Sequence, residues 1–170
     1  MKTLADQLAQ YATYHRHRRN IALHFVGIPL ITLAIAIFLS RPSFAIFTLT
    51  LSPAVLLSVT VVLFYLILDL RLGIAMAVLF AVILGVAHWL AAQSTAIWLS
   101  SGIGLFVVGW ALQFIGHYYE GRKPAFVDDI VSLLIGPLFV VSEWGFALGI
   151  RRDLQRSIEA RVGSVPAPPR

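Results

Sequence analysis

Five histidines and a few carboxylates are the residues in this chain that could do metal chemistry. The histidines are His15, His17, His24, His88 and His117, and there is no cysteine, so a metal would be held by imidazole or carboxylate. Asn20 and His24 are four residues apart, as are Gln113 and His117, and His117 and Glu120 are three apart. At those spacings each pair shares one face of a helix. Asp69, with Tyr65 four residues before it, adds a second carboxylate.

The elements that must position these groups are membrane helices. Hydrophobic residues make up 59% of the 170 and charged ones 12%, far from the roughly 45–50% apolar usage of soluble domains. Crossing about 30 Å of hydrocarbon at about 1.5 Å per residue calls for long apolar runs. Four fit, at about 21–39, 54–70, 74–92 and 96–117. A fifth apolar segment, about 126–150, carries Asp128, Asp129 and Glu143, with Gly136-Pro137 in its middle. Proline inside a helix breaks or kinks it, so this segment reads as two half-helices that dip in and return, or as a kinked span. The fold class is therefore all-α: a polytopic membrane helix bundle of four transmembrane helices plus a re-entrant or kinked fifth segment. Residues 1–160 form one integral membrane domain and 161–170 a disordered tail. The stretch before the first span is too polar for a signal-peptide core, so that span is expected to be retained.

Charge gives the orientation. With a re-entrant fifth segment, Lys2, Arg16, Arg18, Arg19, Arg71, Arg122, Lys123, Arg151, Arg152 and Arg156 fall on the N-terminal side and Arg41 on the other, which the positive-inside rule makes cytoplasmic and external. The net charge of +5 then reflects topology and contact with anionic lipid, and no nucleic-acid motif is present. On the cytoplasmic side His15 and His17 precede the first span, His24 lies one turn inside it, Asp69 ends the second, and His117 and Glu120 end the fourth. Distant segments thus bring imidazoles and carboxylates to one level, which is a metal-site constellation. His88 fails this depth test, since it lies roughly 21 Å along its helix from the same face. Blander readings stand beside these: His17 as a headgroup contact, Asn20 as a helix N-cap, Asp69 as a partner of Arg71, and Glu143 as a group behind the ligands if its segment returns to the cytoplasmic side.

"YATYHRHRRNIALHFVGIPL", "FYLILD" and "WALQFIGHYYEGRKPAFVDD" resemble the small membrane family named for the metabolism of phytosphingosine to odd-numbered fatty acids, over roughly residues 8 to 150. The resemblance implies an iron(II)-dependent dioxygenase, with Fe(2+) as cofactor, that shortens a 2-hydroxy fatty acid by one carbon with O₂. It places the family's histidines on His15, His24 and His117. Glu120, Tyr14 and Asp69 are then candidate catalytic residues, and Asn20, Gln113, Arg122 and Lys123 candidate substrate contacts. The alkyl tail would lie between the spans or in lipid. Rival readings are a zinc-dependent membrane lipid hydrolase, a two-histidine haem electron carrier and a small transporter. A transporter's polar groups would line the bilayer midplane rather than one face. The expected location is a multi-pass inner membrane in a bacterium or endoplasmic reticulum in a eukaryote, with the site on the cytoplasmic face.

Overall fold

The computed structural model describes residues 2–46 and 49–165. Helix α1, Leu4–Ala12, begins with a reciprocal cap: the Thr3 hydroxyl accepts from Asp6 N, and the Asp6 carboxylate accepts from Thr3 N. Then come α2 (Arg18–Ser40), β1 (Phe44–Ile46), β2 (Leu49–Leu51), α3 (Pro53–Leu68), α4 (Leu70–Ala91), α5 (Thr95–Glu120), a 3₁₀ turn (Ala125–Val127), α6 (Ser132–Ala147) and α7 (Arg152–Val162). The all-α bundle holds, with one addition: β1 and β2 form a short antiparallel ribbon, Phe44 opposite Leu51. Among the described residues α2, α4 and α5 are long and apolar enough to cross a membrane. The expected span at 54–70 is a correction in length, because α3 has only 16 residues.

The chain forms two compact units whose boundary falls inside α2 and α5. In the unit Pro29–Trp110, α3 and α4 make a tight helical hairpin hinged on Asp69. Its backbone N–H closes α3 on Tyr65 O, and its carboxylate accepts from Leu72 N at 2.9 Å to start α4. A Cβ on Gly73 would lie 2.6 Å from Leu66 Cα, so only glycine lets the two helices approach this closely. Ala36, Ile37 and Ala87 form the core of this unit, and Trp98 Nε1 donates to Ile37 O.

In the unit Met1–Ile28 with Ala111–Arg170, α6 runs antiparallel to α2. Gly136 faces Ile28, and the Trp144 ring meets Phe25. The expected break at Gly136-Pro137 is corrected: α6 continues through Pro137, which lies in its second turn and forgoes one bond to the first. The interruption comes earlier, in the irregular stretch around the 3₁₀ turn, and again at 148–151, where the chain bends by 114° into α7. Neither α1 nor α7 is an apolar membrane element. In α7, Leu154 and Ile158 are buried four residues apart, and the helix packs along α1. Arg161 pairs with Asp6, and the Arg16 guanidinium donates to Gly163 O and Ser164 O. Arg122 donates to Thr13 O, so the chain just before the fifth segment and the chain just after α7 both lie beside residues 13–16. Helix α7 extends past the start of the tail expected at 161–170, of which 166–170 lie outside the described residues.

Cysteines introduced at positions 17, 122 and 152 should label from the same side of the membrane. Labelling of 152 from the opposite side would show that the fifth segment crosses.

The Asp6 carboxyl is held at about 2, against an ordinary 3.8, chiefly by the Thr3 hydroxyl and backbone N–H and then by Arg161. A carboxyl depressed on folding stabilises fully above its ordinary value and loses that effect as pH falls through the folded one. Hydrogen exchange in α7 should therefore rise between about pH 4 and pH 2 in detergent, and Asp6→Asn should abolish that dependence. An exchange rate in α7 that tracks pH identically in both proteins would refute the role of this pair.

Candidate metal centre

Three of the expected site residues meet in a buried cluster. His15 follows α1, His24 lies in the second turn of α2 and His117 in the last turn of α5, all within the unit that holds the two chain ends. One nitrogen from each lies within 4.8 Å of the others, and all three residues are buried. The ring centroids of His15, His24 and His117 form a triangle with sides of 4.4, 5.0 and 5.1 Å.

Two of the rings are oriented by main-chain carbonyls. His15 Nδ1 lies 2.8 Å from Tyr11 O, and His24 Nδ1 lies 2.9 Å from Asn20 O. A carbonyl can only accept, so each Nδ1 carries the hydrogen and each neutral ring presents its Nε2 lone pair. Those two Nε2 atoms are 3.0 Å apart. Lone pairs facing each other repel, and a shared cation turns that repulsion into attraction. Two imidazoles bound at roughly 2.1 Å and at right angles to each other would stand about 3.0 Å apart, against about 3.4 Å at a tetrahedral angle. Burial pushes the His15 ring down to about 3, so it is neutral and able to bind a metal at neutral pH. His15 is also stacked on Tyr11, with centroids 4.1 Å apart and planes within 8°.

Further buried polar atoms belong to this cluster. Asn20 Oδ1, Gln113 Nε2 and His117 Nδ1 have no hydrogen-bond partner among the described residues. Groups that deeply buried are normally satisfied, so their presence fits a site built to receive polar ligands. Gly116 makes the approach possible. A Cβ there would lie 2.4 Å from Asn20 Oδ1 and 3.3 Å from His24 Nδ1, closing the gap between α2 and α5. The donor set and its carbonyl anchors thus fit a metal ion.

Glu120 is placed beside the cluster rather than in it. Its carboxylate accepts from Arg16 N at 2.9 and 3.0 Å, His17 N at 2.8 Å and Asn20 Nδ2 at 2.9 Å. Asn20 lies within the first turn of α2 instead of capping it, while His17 Nδ1 accepts from Arg19 N. His17 is exposed and stacks on Tyr119.

Tyr14, Arg122 and Lys123 gather at the rim. The Tyr14 hydroxyl donates to Asp128 at 2.9 Å, Lys123 pairs with the same carboxylate at 2.6 Å, and Arg122 holds Thr13 O. Tyr14 and Lys123 thus share one charged partner, Asp128. Asp128 raises the Tyr14 hydroxyl and the Lys123 ammonium, and both lower the Asp128 carboxyl. Asp69 and His88 belong to the other unit, where Asp69 caps α4 and His88 is exposed on the same helix. Two contributors escaped sequence reasoning. Tyr11 had a usable signal, four residues before His15, whereas Asp128 reaches Tyr14 across 114 residues without any local cue.

The chain was compared with known proteins. No solved structure matches it. It is 32% identical to the 2-hydroxy-palmitic acid dioxygenase MPO1 of Saccharomyces cerevisiae over 158 residues, covering 92% of this chain and 87% of the yeast protein. The family model described as 2-hydroxy-palmitic acid dioxygenase Mpo1-like matches residues 1–148, a stretch that takes in every residue of the histidine cluster and its carbonyl anchors. On both grounds the chain belongs to the Mpo1-like family.

Proposed function

We propose that this protein is a membrane dioxygenase that converts a 2-hydroxy fatty acid into the fatty acid one carbon shorter, using iron(II) held by His15, His24 and His117. The observation that carries the reading is the pair of carbonyl-anchored imidazoles whose Nε2 atoms face each other at 3.0 Å beside a third buried histidine. The yeast relative's activity gives the reaction class.

The reaction balances without a reductant. The 2-hydroxy acid and one O₂ give the shortened acid, carbon dioxide and water; the bond between C1 and C2 breaks, and the four electrons lost by those carbons are the four that O₂ takes. Iron(II) at such a site supplies the redox contact between O₂ and a substrate chelating through its carboxylate and 2-oxygen. The chain's own residues do the rest. Tyr11 O and Asn20 O hold two rings in the tautomer that exposes Nε2. Asn20 Oδ1 and Gln113 Nε2, both unpartnered, offer an acceptor and a donor for the substrate's polar end. Tyr11 and Phe139 wall the His15 side with aromatic surface and keep water away. Glu120 acts as a positioning residue, fixing the segment that carries His15 against the end of α5. Arg122 and Lys123 hold the rim together through Thr13 O and Asp128. The site faces the side carrying most of the basic residues, which the positive-inside rule makes cytoplasmic.

His24→Ala and His117→Ala should lose bound iron and all turnover, whereas His88→Ala should keep both, as read by metal analysis and by release of the shortened acid. Iron loss in His88→Ala with the fold intact would overturn the assignment.

Glu120→Gln keeps a carbonyl acceptor but sets an NH₂ group against backbone N–H donors. It should weaken iron retention about 10–100-fold in a chelator competition and lower turnover in parallel. Full retention would reduce Glu120 to a surface contact.

Wild-type turnover should stop under strict anaerobiosis, with one CO₂ released per O₂ consumed in air. Continued anaerobic turnover would replace the dioxygenase with a hydrolase.

A further inference from the structure

Two neighbouring cavities lie in this unit, and the inner one reaches the histidine cluster at His15. The inner one, about 260 Å³, is bounded by His15 and Arg16 at one end and by Phe139, Glu143, Gln155 and Ile158 of α6 and α7. The outer one is a groove of about 490 Å³ along Ala22 and Phe25 of α2 and Phe146 and Ala147 of α6. Ile21, Glu143, Phe146, Gln155 and Val165 line both, so the two are neighbours divided only by side chains. All of these residues lie in one compact unit.

We propose that this passage holds the substrate, with the alkyl chain in the α2–α6 groove and the hydroxy-acid end in the inner cavity beside His15. The assignment rests on the dioxygenase reading above and adds where the chain lies. The outer groove has an apolar wall of Ala22, Phe25, Phe146, Ala147 and Val165, with Arg18, Glu143 and Gln155 as its polar members, and it opens past Ala22 and Ala147, both exposed, beside helix α2, which is itself apolar enough to sit in lipid. An acyl chain can therefore slide in sideways from the hydrocarbon without passing through water. The inner cavity ends on a residue of the metal cluster, so the alkyl route and the chemistry are joined.

Glu143 fixes the register. It stands where the two spaces meet, and burying methylenes against a carboxylate is unfavourable, so the polar end of the substrate belongs on its His15 side. The acid groups of Glu143 and Glu159 on this wall would repel a carboxylate, but Arg16 lines the same cavity. Its contacts with Gly163 O and Ser164 O are to neutral carbonyls, so its full positive charge faces the incoming acid. Helix α7 closes the inner cavity through Gln155, Ile158 and Val162. Its amphipathic character and docking on α1 follow naturally if one of its tasks is to roof this space.

The test combines a filled groove with direct labelling. Ala22→Trp and Ala147→Trp place an indole in the outer groove at exposed positions, which spares the core. Each should lower kcat/KM for a palmitic-length 2-hydroxy acid roughly tenfold or more relative to a short-chain 2-hydroxy acid, with iron content unchanged. Separately, a fatty acid carrying a diazirine at its methyl end is photolysed with wild-type protein under anaerobic conditions. It should crosslink to residues 21–25 or 143–147, and excess palmitic-length 2-hydroxy acid should suppress the label. Crosslinks confined to other helices, or equal losses for long and short acids in both variants, overturn the groove. Suppressible labelling at those residues in a protein that turns over no 2-hydroxy acid keeps the groove and overturns the dioxygenase.

Discussion

The Glu120 carboxylate is the contact on which the histidine cluster depends. It accepts from two successive main-chain N–H groups, Arg16 and His17, and from the Asn20 amide, linking positions 100 or more residues apart in the chain. The two main-chain donors stand just ahead of α2, while His17 Nδ1 accepts from Arg19 N in the first turn itself. Receiving these donors at the end of α5 does two things at once. It fixes the segment that leads into α2, and it draws together the segments carrying His15, His24 and His117. The clamp and the histidine cluster are a single construction.

A cluster of neutral imidazoles is a costly thing to bury. Each ring loses hydration, and two of them confront each other through lone pairs at 3.0 Å. The carbonyls of Tyr11 and Asn20 prevent the rings from relieving that strain by rotating or by exchanging tautomers. The Glu120 clamp opposes relief by separation of the helices. Preorganisation of this sort places the cost in folding, so that an ion bound there would recover it.

Much of this was legible in the sequence, for identifiable reasons. The long apolar runs located α2, α4 and α5 to within about four residues, because nothing but a membrane-length helix explains them. His15, His24 and His117 were separable from His88 by helix rise alone. Two kinds of information were missing. Local rules set the break at Pro137, through which α6 continues, and passed over α7, whose only signal is the buried pair Leu154 and Ile158. Long-range partners could not be read at all. The role of Glu120 as a clamp, the bond from Tyr14 to Asp128 and the reach of Arg16 to Gly163 depend on contacts between residues at least 100 apart.

Helix α3 carries a consequence for the lipid itself. Its 16 residues cover roughly 24 Å, while a hydrocarbon layer is about 30 Å thick. Hinged to α4 by a single residue and packed against it at Gly73 and Leu66, α3 gains no length from its neighbour, and tilting would only shorten its reach. Leaflets that α3 spanned would thin around it, at a cost of a fraction of a kcal/mol for each ångström of mismatch. A thinner membrane removes that cost, so bilayer thickness is a physical variable that selects where this protein resides most comfortably.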